Sequence, residues 1–167
     1  TDLYQGALST ILPFLREKLC LSYTMAGVIL MTFSITSSIV QPIFGMLSDK
    51  KGKALLLPAG VVFAAFGFSL LAWSPSYEVV LVLVVISGLG IASYHPEGYK
   101  TATFFTGEKK ATGMSIFSVG GNLGFALGPV LTLFVIHHFS FNWLPLMAIP
   151  ALLFLGLITS VWPTIAK

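Results

Sequence analysis

Five stretches of this 167-residue chain are apolar over 20 or more residues, and only short polar breaks separate them. A helix needs about 20 mainly apolar residues to cross the ~30 Å hydrocarbon core of a bilayer. The stretches run from Thr24 to Leu47, Ala54 to Trp73, Val79 to Thr103, Thr112 to His137 and Trp143 to Trp162. The breaks are "SDKKGK", "SPSYE", "TGEKKATG" and "HHFSFN". Links this short force consecutive spans to run antiparallel and to pack as neighbours. The expected fold class is therefore an all-α membrane protein. A preceding stretch, Asp2 to Leu15, makes about 21 Å of helix. That is too short to span alone, so residues 1–15 read as the outer part of a truncated first span. The expected architecture is a bundle of six transmembrane helices.

Composition points the same way. Hydrophobic residues make up 56% of the chain and charged residues 9%, with a mean hydropathy of +0.92. Soluble domains carry roughly 25% charged residues, so lipid is the expected solvent. The net charge of +3 does not imply a nucleic-acid partner, because the lysines fall in links and form no continuous basic face. A single cysteine, Cys20, excludes a disulfide scaffold and a multi-cysteine metal site. The chain opens without Met or a basic leader and stops just after an apolar run, so both ends read as cut edges.

Orientation follows from the basic residues in alternate links. Lys50, Lys51, Lys53, Lys109, Lys110 and Lys167 share one side, against Arg16 and Lys18 on the other. The lysine-rich side is expected to be cytoplasmic, as is the N-terminus of the bundle, in a multi-pass plasma (inner) membrane protein. A positive-inside loop accounts for the lysines of "GMLSDKKGK" but not for Gly45, Asp49 and Gly52.

That segment resembles the loop motif between helices two and three of the major facilitator superfamily. Gly45, Leu47, Ser48, Asp49, Lys50, Gly52 and Lys53 fit the pattern, and Ala54 departs where a second basic residue is common. Gly45 lets a neighbouring helix approach, Gly52 permits a tight turn, and Asp49 is placed to pair with Lys53 or to meet a helix N-terminus. The resemblance implies that this cluster latches the two halves of a transporter in one of its states.

In the fifth span, Gly124, Gly128 and Pro129 resemble the G-x-x-x-G-P core of proton-coupled antiporters, although Leu131 and Thr132 stand where two further glycines are usual. Plain helix packing also explains such a pair. "TDLYQGALSTILPFL", "YHPEGYK" and "SIFSVGGNLG" together resemble the fosmidomycin-resistance branch, exporters of a small anionic phosphonate drug. This resemblance implies the N-terminal half of a twelve-helix protein, with a C-terminal six-helix half, a central cavity and a rocking motion. The partners it implies are a small-molecule substrate, protons and the lipid bilayer. No cofactor, metal or nucleotide motif is evident.

Charged side chains at membrane depth face a cavity or a partner. Asp2, with Gln5 and Ser9 along one face, reads either as such a group or as a helix cap at a chain start. Glu97 and Lys100 are three apart and can pair on one face, whereas His95 points nearly opposite Glu97 unless Pro96 bends the helix. The pair is either structural or functional. In the functional case Glu97 is favoured over Asp2 as proton carrier, with His95 as substitute, and Lys100 attracts an anion. A carboxylate in a dry cavity holds its proton more readily than in water, and imidazole titrates near neutrality. Asn122 either contacts substrate or bonds another helix. His137 and His138 face different directions and read as interfacial.

The expected function is proton-driven export of a small organic molecule or anionic drug. The alternatives are an uptake symporter or uniporter of the same fold, a six-span protein working as a homodimer, and an intramembrane enzyme using His95 and Glu97. The last is disfavoured because no nucleophile or metal triad accompanies them.

Overall fold

The computed structural model describes residues 1–51 and 55–165, and among them there is no strand. Six rods make up the bundle. The first is α1 (Asp2–Leu19), about 27 Å long. It continues past Leu15, where the apolar run was expected to end, through Arg16 to Leu19. The second rod has two helical segments, α2 (Tyr23–Ser34) and α3 (Gln41–Lys51), joined by one widened π turn over Ile35–Ile39. The third is α4 (Leu56–Ser69), which tightens into a 3₁₀ turn at Leu70–Trp73. The fourth and fifth are α5 (Tyr77–Thr106) and α6 (Lys110–His138). The sixth opens as a 3₁₀ stretch, Phe141–Ala148, and continues as α7 (Ile149–Ile165). Five of the rods are long and apolar enough to cross a membrane. The remaining one, α1, carries Asp2 at one end and Arg16, Glu17 and Lys18 at the other.

Local chemistry fixes the ends. The Ser22 hydroxyl accepts the Met25 N–H at 3.1 Å and caps α2. Cys20 closes α1 in the left-handed conformation (φ 52°), and its N–H bonds the Arg16 carbonyl. Lys18 Nζ donates to the Ala72 carbonyl at 2.6 Å and the Ser74 carbonyl at 3.1 Å, satisfying the end of the third rod. Arg16 lies 3.6 Å above the Tyr23 ring, so both cations at this end have structural partners.

The core runs along α1 and the third and fourth rods, with Leu8, Ile11, Leu15, Phe68, Leu71 and Val84 essentially inaccessible. In lipid, apolar burial between helices gives little, and close packing with buried hydrogen bonds holds the rods together. The α4–α5 seam, the most extensive pairing, uses both. A Cβ at Gly60 would lie 2.7 Å from the Gly90 carbonyl oxygen and 2.9 Å from the Tyr94 nitrogen, so only glycine permits this approach. Ser87 donates to the Ala64 carbonyl across the same seam at 3.0 Å. The outer faces remain apolar: Phe63 and Phe66 on α4, Leu133 and Phe134 on α6, and Leu153 and Leu157 on α7 are all more than 45% exposed. This surface suits a hydrocarbon solvent.

Candidate functional site

The second most extensive pairing, α1 on α6, brings the first carboxylate into place. A Cβ at Gly121 would come within 2.9 Å of Asp2 Oδ2. One at Gly124 would touch the Leu3 nitrogen at 3.5 Å, and one at Gly128 would lie 3.0 Å from the Ala7 nitrogen and collide with the Leu3 carbonyl. From the other side, Gly6 admits the Phe125 carbonyl. The Gly124–Gly128 pair thus seats α6 on the first turns of α1, with Pro129 following inside α6.

Seated there, Asp2 meets α5. His95 Nε2 lies 3.1 Å from Asp2 Oδ1, with the side chains 14% and 19% exposed respectively. That is hydrogen-bond distance between an imidazole nitrogen and a carboxylate oxygen, across the gap between α1 and α5. The other ring nitrogen, His95 Nδ1, is buried without a hydrogen-bond partner among the described residues. The rings of Tyr94 and Tyr99 flank the imidazole at 5.8 and 6.2 Å. The pair opens onto a cavity of about 400 Å³ lined also by Gln5, Gln41, Tyr99, Asn122, Phe117 and Phe125. Asp2, Gln5, His95 and Asn122 therefore share one site. Asn122 is exposed to it, and its side chain makes no interhelical hydrogen bond among the described residues.

Glu97 and Lys100 belong elsewhere. The Ser48 hydroxyl donates to Glu97 Oε2 in a short bond, and Lys100 Nζ donates to Ser48 Oγ at 2.7 Å. Lys100 also forms an ion pair with Asp49. One expectation changes here. Glu97 and Lys100 do not pair directly, because the Ser48 hydroxyl of α3 stands between them and serves both. Among the described residues Asp49, expected to meet Lys53 or a helix N-terminus, pairs with Lys100. Lys53 and Gly52 lie outside the described residues, as does the Lys50 side chain, although Lys50 itself belongs to α3. Gly45 faces Pro96 at ordinary contact, 3.9 Å from a built Cβ to the proline Cβ. The fourth rod runs through Pro96 as one helix, so His95 and Glu97 stay in separate clusters. Neither Glu97 nor Lys100 lines the cavity of Asp2. Lys100 instead borders a more open depression with Thr103, Glu108 and Lys110.

Gln41 escaped the sequence reading. Its signal was present as a Gln-Pro dipeptide in the middle of an apolar span, where a proline removes a helix donor.

Among the described residues no three His, Cys, Asp or Glu side chains are grouped to hold a metal ion. His137 and His138 lie on the exposed end of α6, where His138 Nδ1 is 3.0 Å from the Phe134 carbonyl oxygen.

The sequence profile described as Major Facilitator Superfamily matches residues 2–166. The chain is 34% identical over 157 residues to an uncharacterized MFS-type transporter, YfnC, of Bacillus subtilis (strain 168), covering 92% of this chain and 38% of that protein. It is 34% identical over 161 residues to the fosmidomycin resistance protein of Escherichia coli (strain K12), covering 95% and 40%. It is 36% identical over 130 residues to the riboflavin transporter RibZ of Clostridioides difficile (strain 630), covering 74% and 28%. The chain spans about two fifths of the length of the first two of these relatives.

Proposed function

Because the chain belongs to the Major Facilitator Superfamily, we propose that it is the N-terminal half of a plasma-membrane transporter exporting a small organic molecule in exchange for protons. A C-terminal six-helix half completes the cavity in this reading. The observation that carries it is the Asp2–His95 pair, nearly buried and facing a cavity between rods.

The pair supplies the coupling. With Asp2 ionised, its carboxylate accepts from His95 Nε2 and retains further lone pairs for a donor group of the substrate. A proton arriving on Asp2 cancels its charge and turns one oxygen into a donor, so the carboxyl holds a donor group of the substrate less strongly. Substrate and proton then compete for one carboxylate, which is the condition for exchange. An anionic substrate follows the same rule when it reaches Asp2 through a hydroxyl or N–H donor, whereas an anionic group seated on His95 would have the opposite sign. It would be favoured when Asp2 is protonated and would travel with the proton. Gln5 and Asn122 orient the substrate's polar groups, and Phe117 and Phe125 cover its apolar ones. The Ser48–Glu97–Lys100–Asp49 cluster holds the cytoplasmic ends of α3 and α5 together between transport steps.

Fosmidomycin is the first substrate to test, given the name of one relative. The full-length protein, reconstituted in vesicles with an imposed proton gradient, is expected to move fosmidomycin against its own gradient and opposite to the proton flow. Movement with the proton flow would overturn the antiport reading in favour of uptake by symport.

A further inference from the structure

The second rod is not a continuous α-helix, and the reason lies in one proline. Pro42 has no N–H, and in an unbroken helix its ring would strike the Ser38 carbonyl four residues back. The rod widens to a π turn at Ile35–Ile39, which ends three residues before it, and Pro42 falls in the first turn of α3. In the π register the donor facing the Ser37 carbonyl is residue 42, and proline offers none. The Gln41 side-chain Nε2 donates to the Ser37 carbonyl instead, at 2.7 Å.

Two further observations give this repair a consequence. The widened turn rests against α5 at a glycine: a Cβ at Gly88 would lie 2.8 Å from Thr36 Cβ and 3.2 Å from the Ser37 nitrogen. Gln41 itself lines the cavity that holds Asp2 and His95. A pivot, a cavity side chain that braces the pivot, and a charged clasp at Ser48 and Asp49 thus lie in order along a single rod.

We propose that Gln41 is the positioning residue of a hinge in the second rod, and that the transported molecule works this hinge by drawing the Gln41 amide away from Ser37. While the amide stays on Ser37, the turn is satisfied and α3 keeps its angle to α5, with the clasp closed. When a cavity ligand takes the amide, the Ser37 carbonyl is left without it in a medium that offers no water. The turn then re-forms its bonds at a different angle and carries Ser48 and Asp49 with it. By reciprocity, opening the clasp changes ligand affinity by the factor that the ligand applies to the clasp. The substrate half of this inference rests on the export reading above, whereas the hinge half does not.

Amide hydrogen exchange across Ile35–Gln41, measured on the full-length protein in lipid nanodiscs, tests it in stages. Without any ligand, Gln41→Leu is expected to raise exchange in this segment at least about tenfold, the factor that 1.4 kcal/mol of lost protection gives. Pro42→Ala restores the missing N–H, so Gln41→Leu in that background is expected to add no more than about twofold, since two changes on one bond are not additive. A merely structural glutamine would predict that Pro42→Ala also restores transport. The hinge predicts a well-protected segment together with fosmidomycin turnover reduced about tenfold or more, because the conformational step is slowed. Unaltered exchange in Gln41→Leu, or full turnover in Pro42→Ala, overturns the hinge. In wild type, saturating fosmidomycin is expected to raise exchange over Ile35–Gln41, and to add nothing in Gln41→Leu. Transport of fosmidomycin with no such rise overturns the ligand's role. Failure of wild type to move fosmidomycin at all counts against the export reading for that compound, and the ligand-free exchange of the two variants still decides the hinge.

Discussion

His95 and Glu97 stand two positions apart on one helix, yet they belong to different machines. His95 faces α1, pairs with one carboxylate and borders a cavity. Glu97 faces α3, is 7% exposed, and meets a serine hydroxyl that also takes a lysine. The first cluster is a two-member pair with a buried ring nitrogen left over. The second joins four side chains and grades from buried Glu97 to Asp49, whose side chain is 69% exposed. Position along a helix therefore says little about role, because a rotation of about 200° over two residues selects a different neighbour. The neighbour decides the chemistry. A group that can lose its partner without leaving a charge stranded suits proton loading, whereas a group braced from several sides suits holding.

Variants can force the two clusters apart. The largest effect is expected at the cavity: Asp2→Asn should abolish uphill, proton-driven efflux and its pH dependence while leaving downhill exchange measurable in vesicles. Glu97→Gln should keep uphill efflux and its pH dependence, at a lower rate. The reverse pattern, with uphill efflux lost in Glu97→Gln and kept in Asp2→Asn, would exchange the roles of the clusters. Next comes the brace itself. Ser48→Ala leaves the buried Glu97 carboxylate without its donor, a loss of about 1–3 kcal/mol, and should lower the thermal midpoint in detergent by several degrees. An unchanged midpoint would mean that water replaces the hydroxyl and that the cluster is not dry. Asp49→Asn removes the exposed end of the same network. Exposed pairs are worth about 0.2–1 kcal/mol, so a transport loss of no more than about fivefold is expected, against none for Lys51→Gln. The smallest perturbation addresses sidedness. A thiol at Lys109→Cys should react with an impermeant reagent only from the cytoplasm, and one at Ser140→Cys only from outside. Labelling of Lys109→Cys in intact cells would invert the bundle and place the four-member cluster on the outer surface.

The spans and links were legible in sequence because bilayer thickness and short connections leave few arrangements. The structure's rods depart from them by a few residues, mainly at the end of α1, in α3, which carries helix through residues 48–51 of the expected "SDKKGK" link, and in the 3₁₀ opening at Phe141, where Pro145 stands. The grouping of polar residues was not legible. Asp2 and His95 are 93 residues apart and meet only because glycines at 6, 121 and 128 let α1 and α6 approach closely. Helical periodicity correctly separated His95 from Glu97 but suggested that Glu97 pairs with Lys100, since it counts positions on one helix and cannot see Ser48 arriving from another. Lys100 was missed as a partner of Asp49 for the same reason. Gln41 was missed because a carboxamide in an apolar run carries no charge to draw attention, and its meaning depends on the proline after it.

The end of α1 has a practical corollary. The sequence holds one thiol, Cys20, exposed and placed at the left-handed position that closes the helix. A side chain there costs about 1–2 kcal/mol relative to glycine. Cys20→Gly is therefore expected to remove the thiol of these 167 residues and to leave the protein at least as heat-resistant as the parent, checked by its melting midpoint in detergent. A labelling reagent, cross-linker or spin probe could then be introduced at a chosen rod without a background signal from the end of α1. The strained turn at the close of the first helix is the place where the molecule gives up its native reactive group most cheaply.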